Sequence, residues 1–239
     1  MKRTLTGAVL GLLALVLPLS GAGASPPASL TGLSPSEILS TSLTAARAKG
    51  SATTIGATTV LGVHLRETTT SGRRSGYGFE SVNGHGGTVV FLHGVVYAKL
   101  DAYLVKLDFG TPDPAVANKW ISLTRASKYY TALAEGIAFP SVLQQMHPTG
   151  TLTTTPLTTT EGVATIGVTG GVNPALDTAS GSETLYVATT APFLPVKVVV
   201  KVSQAGVHVT ITLTPKNWGV HVTVVAPRNF TSITKTALG

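Results

Sequence analysis

The chain has 239 residues, with 17 lysines and arginines against 10 acidic groups, a formal charge of +7 and no cysteine. Its length suits one domain with a sizeable core. The missing thiols exclude a disulfide framework, thiol chemistry and anchoring through a lipidated N-terminal cysteine. The basic residues are scattered apart from Arg73-Arg74 and are not interleaved with aromatics, which argues against a nucleic-acid surface.

The first residues read as an address. Lys2 and Arg3 precede an apolar run from Ala8 to Leu19 that is too short to span a bilayer, and Ala22-Gly23-Ala24 has the spacing of a cleavage site. Residues 1–24 are therefore expected to be a signal peptide, with an uncleaved membrane anchor as the alternative. Residues 25–33 are expected to be a disordered lead-in and 34–239 a single domain.

Ser34-Pro35-Ser36-Glu37 supplies an N-cap, a first-turn proline and a capping-box glutamate. Ile38, Leu39, Leu43 and Ala46 then recur at helical spacing until Gly50. Ser51 to Thr70 is β-prone, with a bend or bulge at Gly62, and the polar run from Thr68 to Ser75 is predicted to be an exposed turn. A strand near Gly76 to Val82 leads to Asn83-Gly84-His85-Gly86-Gly87, and His93-Gly94 joins Thr88–Leu92 to Val95–Lys99 as a two-residue hairpin connection.

After Lys99 the period changes. Leu100, Tyr103, Leu104 and Leu107 predict a short helix, and Thr111-Pro112-Asp113-Pro114 opens a further helical turn toward Trp120. Tyr129–Ile137 and Ser141–Met146 read as helical, broken at Gly136 and Pro140. These fragments hold many of the aromatics and supply apolar cover for a sheet.

Thr151 to Gly170 returns to β structure around a turn at Thr160-Glu161-Gly162, or else is a mucin-like linker. Four strands follow a loop at Gly170 to Gly181: Thr184–Thr189, Val196–Val202, Val207–Thr214 and Val220–Val225. Val207, Val209, Ile211 and Leu213 point to one face and His208, Thr210, Thr212 and Thr214 to the other. An antiparallel meander with one face under helices is the α+β arrangement these patterns predict.

Chemistry finds little support. Gly84-His85-Gly86-Gly87 is read as a glycine-rich turn, since no G-x-S-x-G elbow supplies a nucleophile. The six histidines lack metal-ligand spacing. Asp101, Asp108, Asp113 and Glu135 are read as caps or solvated groups. No catalytic residue, metal or cofactor is expected.

In the order of its pieces the chain resembles the LppX/LprAFG lipoproteins of mycobacterial envelopes and, more distantly, the LolA and LolB lipoprotein carriers. The likeness rests on a helix-first start, Gly-Val-Val-Tyr-Ala-Lys-Leu-Asp-Ala at 94–102 and Asn118-Lys119-Trp120-Ile121 before a helical stretch. Pro192-Phe193-Leu194-Pro195, Asn217-Trp218-Gly219 and Val225-Ala226-Pro227 complete it. The resemblance implies a strongly curved antiparallel β half-barrel with helices covering its concave face, enclosing an apolar cavity for the acyl chains of lipids or glycolipids. Family members carry a lipobox cysteine that this chain lacks, which implies a secreted or periplasmic carrier without an N-terminal lipid anchor.

The expected lining is Tyr103, Leu104, Leu107, Phe109, Leu133, Ile137, Phe139, Leu143, Met146 and Phe193; the plain alternative is that these fill an ordinary core. The expected function is non-catalytic binding and transport of lipid within or across the envelope by a monomer, with a membrane or transporter as partner. A sensor or interaction module that binds a protein through the same half-barrel is the alternative.

Overall fold

The computed structural model describes residues 29–110, 113–173, 180–204 and 206–233; the expected signal peptide, residues 1–24, lies outside them. Of the lead-in 25–33, residues 29–33 are described. They differ from the expectation of disorder, because Leu30 is buried against the core.

Helix α1 (Pro35–Lys49) begins as its capping box predicts: Ser34 Oγ accepts from the Glu37 N–H, and Glu37 Oε2 accepts from the Ser34 N–H at 2.7 Å. Ile38, Leu39, Leu43 and Ala46 are buried, and Gly50 ends the helix in the left-handed region. Five strands follow as hairpins: β1 (Ser51–Val60), β2 (Val63–Gly72), β3 (Ser75–Val82), β4 (His85–Leu92) and β5 (Val95–Leu100). Three of their turns, Leu61-Gly62, Asn83-Gly84 and His93-Gly94, share one device, two consecutive residues of positive φ, as at His93 (48°) and Gly94 (83°), which matches the right-handed twist of the flanking strands. Leu61-Gly62 is such a turn rather than a bend within one strand.

Thr68 to Ser75 is not an exposed turn. Thr69, Thr70 and Ser71 are buried within β2, and only Arg73-Arg74 separate β2 from β3. Small side chains permit this, and a hydroxyl pair, Thr53 with Thr70 at 3.1 Å, links β1 and β2.

Helix α2 (Ala102–Phe109) is capped by Asp101, whose Oδ1 accepts from the Leu104 N–H at 2.9 Å. Residues 113–119 form turns in place of the predicted helical turn. The segment after Asn118-Lys119-Trp120 first adds a strand, β6 (Ile121–Leu123). Then come α3 (Tyr130–Glu135) and α4 (Phe139–Gln144), which carries Pro140 in its first turn, where a missing N–H is tolerated. The threonine-rich stretch is a ladder, not a linker: β7 (Thr149–Thr154) and β8 (Thr158–Thr160) both pair with β9 (Val163–Gly171). The last large strands are β10 (Ser180–Ala188), β11 (Pro195–Gln204) and β12 (Val207–Lys216).

Val220–Val225 is the main correction to the predicted meander. Its alternation is real, with Val220, Val222 and Val224 half-buried and His221, Thr223 and Val225 exposed, yet the segment belongs to no strand. It starts where the Gly219 N–H donates to Ser51 O. It then lays Val222 against Gly72, and ends with Phe230 edge-on to Tyr97 at 5.1 Å before β13 (Thr231–Ile233) pairs in parallel with β6. The chain thus straps the outer face of β1–β5 instead of extending the sheet. Gly72 makes room for it: a Cβ there would come within 3.2 Å of Val222.

The strands form one sheet in the order β13-β6-β5-β4-β3-β2-β1-β12-β11-β10-β9-β7, antiparallel throughout save for β13 with β6. Its two edges do not meet. Helix α1 touches β1, β11, β10, β9 and β7. Laid flat, β1 and β7 would lie roughly 24 Å apart at about 4.8 Å per strand, against a helix diameter of about 10–12 Å, so the sheet curves around the helix. The fold is α+β with a large, curved, unclosed sheet. The described residues establish the curvature and the helical cover, not an enclosed apolar cavity.

Candidate functional site

The inner face of the sheet can be followed along one register row: Val168, Leu185, Val198, Leu213, Gly56, Glu67, Glu80, Gly87 and Leu100. Both ends are apolar. The middle, on β1, β2 and β3, carries glycine and carboxylate, and the neighbouring inner row adds Thr54, Thr69 and Gly78.

Two apolar clusters sit on either side of this middle. One joins Phe139, Leu143, Met146 and Phe193 to α1 and to Leu185, Val198 and Val200. The other joins Leu104, Phe109, Leu133 and Ile137 to Val89, Ala98 and Leu100, with Leu107 packed partly against it. The ten residues picked from the sequence therefore divide between two places. Tyr103 belongs to neither: it is 38% exposed and stacks on His85 with ring centroids 4.4 Å apart.

Glycines on β3 and β4 let the covering segments approach the sheet. A side chain on Gly76 would run into Ile137, and one on Gly87 into Leu100 and Leu104. Gly56 differs. A Cβ there would meet Glu67 and Leu213 at an ordinary 3.4 Å, with Glu67 Oε2 at 3.7 Å.

Burial pushes the Glu67 carboxyl up to about 7, although the residue is only half-buried by surface. Its side chain lies on the inner face, in register with Glu80. Glu80 is raised by burial and further by the charges of Asp108 and Glu67, and Asp108 on α2 is raised by burial. Glu80 Oε1 and Asp108 Oδ2 are buried without a hydrogen-bond partner, as are Thr54 Oγ1, Ser71 Oγ and Ser42 Oγ. An unmet buried polar atom costs about 1–3 kcal/mol, so this belt is the least satisfied polar part of the inner face. Among the described residues no group of three or more acidic, histidine or cysteine side chains converges as a metal site.

A fourth inward carboxyl stands apart. Glu183 on β10 is fully buried beside the first cluster, and neither oxygen has a full hydrogen-bond partner. Burial pushes it up to about 8, offset in part by the Asn173 backbone N–H.

Of the carboxylates read as caps, Asp101 is one. Burial works against its charge, but hydrogen bonds from the Leu104 N–H, the His85 ring at 3.0 Å and the Gly86 N–H hold it below the usual range. Asp113 accepts from the Ala115 N–H at 2.8 Å. Asp108 departs from the expectation, being neither cap nor solvated. Glu67, Glu80 and Glu183 were missed, and strand parity is the signal that finds them: each shares a face with an apolar residue two positions away, Leu65, Val82 and Leu185. On the outer face, Ser182, Lys201, Ser203, His208 and Thr210, with Val202 and Val209, border an open groove of about 350 Å³ between β10, β11 and β12.

No family model matches the sequence, and no curated protein does. Among solved structures, a DUF1329 family protein from Desulfovibrio piger is similar at a TM-score of 0.28 and 8% identity, over 76% of this chain and 93% of that one. A likeness at that level carries no argument about fold or function.

Proposed function

We propose that the chain is an exported, non-catalytic carrier that takes up the acyl chains of a lipid or glycolipid between the curved sheet and its helices, for transport within or across the cell envelope. The observation that carries this reading is the inner register row, apolar at both ends and lined in the middle by glycines and by Glu67 and Glu80, the latter with a buried oxygen that has no partner. An amphipathic interior of this kind suits an amphipathic ligand. Tails would spread along Leu104, Phe109 and Ile137 on one side or Phe139, Met146 and Phe193 on the other, gaining roughly 25 cal/mol per Å² of apolar surface buried. Hydroxyl groups of a head group would exchange hydrogen bonds with the carboxyls of Glu80 and Asp108, both of which burial raises above the ordinary carboxylate range.

Native mass spectrometry of the chain purified from its own envelope, followed by lipid analysis of an organic extract, tests this. An excess mass matching a recovered lipid is the expected result; protein of bare sequence mass after incubation with host lipids would overturn it. The second reading, a module that binds a protein partner, draws on the exposed apolar side chains of the outer face, Tyr77, Phe79 and Phe230.

A further inference from the structure

We infer that the part of the outer face of β1–β5 left open beside the strap, with the strap's own Phe230, is a docking surface for an anionic lipid bilayer. The sheet sorts its side chains by type. On β1–β5 and β12 the acidic residues, Glu67 and Glu80, point inward, while Arg66, Lys99 and Lys216 point outward and are exposed. The same outer rows carry Ile55, Tyr77 and Phe79, exposed at 41%, 47% and 53%, and the strap adds Phe230 at 44% over Tyr97. Ile55, Phe79 and Lys99 fall on one row, and Lys216, Tyr77 and Tyr97 on the next.

Single exposed apolar residues are ordinary, but a clustered set is not. Tyrosine and phenylalanine with their rims in cationic surroundings are the chemistry of the headgroup layer, where rings sink to the acyl boundary and lysines meet lipid phosphates. Each cation near such a surface is worth about a fivefold gain in partitioning. A single-stranded nucleic acid would need free ring faces in sequence; here Tyr97 is half-buried beneath the edge-on Phe230, and Ile55 offers no stacking face. This surface lies opposite the interior, so it goes beyond the carrier reading and can be tested apart from it.

The test is flotation of the full chain with vesicles of phosphatidylglycerol and phosphatidylcholine in equal parts, against phosphatidylcholine alone. All variants keep the same N-terminus, so any contribution from it cancels. The expected result is preferential binding to the anionic vesicles that falls about twentyfold or more in Lys99→Glu/Lys216→Glu and is weakened in Tyr77→Ser/Phe79→Ser. Phe79→Trp, at an exposed site that tolerates the larger ring, is expected to shift its emission to the blue on anionic vesicles. Equal binding of the charge-reversed variant, absence of any preference for anionic vesicles, or retention of single-stranded oligonucleotide in place of vesicles would overturn the proposal. Gly56→Leu alters the interior alone and is expected to leave flotation unchanged; its loss there would move the contact to the interior and overturn the proposal too.

Discussion

Strands β9–β12 and strands β1–β4 alternate with the same period of two and fill it with opposite chemistry. In the first group the inner positions are Val168, Leu185, Val198 and Leu213 and the outer ones largely threonine and lysine. In the second, Gly56, Glu67, Glu80 and Gly87 face inward while Ile55, Tyr77 and Phe79 face water. The β9–β12 half covers its own apolar face with α1 and α4 and needs nothing more. The β1–β4 half leaves carboxyls inside and aromatics outside, an arrangement that a folding requirement alone would not select. The difference marks where apolar side chains line the inner face and where polar groups share it.

The sharpest break of this contrast is a pair of truncations. Leu185→Ala, at a fully buried site of the β9–β12 half, is expected to cost about 2–5 kcal/mol. Phe79→Ser on the outer face of the β1–β4 half is expected to change stability by no more than about 0.5 kcal/mol. Urea unfolding midpoints check both, and a comparable loss at Phe79 would mean that the outer aromatics are structural.

Glu183 is the exception within the β9–β12 half, and pH isolates it. Its carboxyl titrates near 4.5 when unfolded and about 8 when folded, so the folded state holds the proton more tightly. Stability from this group is present below about pH 4.5 and is lost as pH rises through about 8, where a bare charge must stay buried. Glu183→Gln is expected to flatten that decline and to be the more stable protein above pH 8 by more than about 1.4 kcal/mol. Thermal unfolding of the two proteins across this range decides it; parallel profiles would show that Glu183 finds a partner when ionised.

The elements that period and turn chemistry define were legible in the sequence: the capping box at Ser34, the His93-Gly94 turn and the long strands of β10–β12. What failed has a common cause. Alternation reports that one side of a segment is covered, not by what, so Val220–Val225 read as a strand although its valines cover β1–β5 from outside. Thr68–Ser75 looked like a turn because threonine and serine are read by polarity, whereas their small size lets them pack in a ladder. β6 and β13, three residues each, are shorter than any pattern can show and exist only by pairing with β5 and with each other. Among the site residues, the apolar ones stood out by helical spacing, but a stripe does not say that α2 with α3 and α1 with α4 head separate clusters. The inward carboxyls were legible by parity and were passed over because a glutamate in a strand is usually solvated.

At the border of the first cluster, Gly56 offers a way to close the middle of the inner face. Gly56→Leu points a side chain past Glu67 and Leu213, where a Cβ meets only ordinary contacts. A cost of about 1–3 kcal/mol is expected for the added bulk, together with a severalfold fall in lipid recovered per chain. Unchanged lipid recovery in a folded Gly56→Leu protein would show that ligand, if bound, does not use the middle of the inner face.

The smallest expected effect probes the strap, which is the one element that belongs to the outer face and yet depends on the sheet. Val222 is half-buried on Gly72, so Val222→Ala removes part of one contact and is expected to cost about 1 kcal/mol. Its location matters more than its size. Because β13 is held to β6 by only three register pairs and is reached through the strap, loosening Val222 frees the chain that delivers β13 while leaving the β1–β5 ladder paired. Amide exchange is expected to quicken at Thr231–Ile233 well before it does at β3 or β4. Uniform loss of protection would instead mean that the strap and the β1–β4 half unfold as one unit, and the outer face would then be held in shape by Val222 as much as by its own hydrogen bonds.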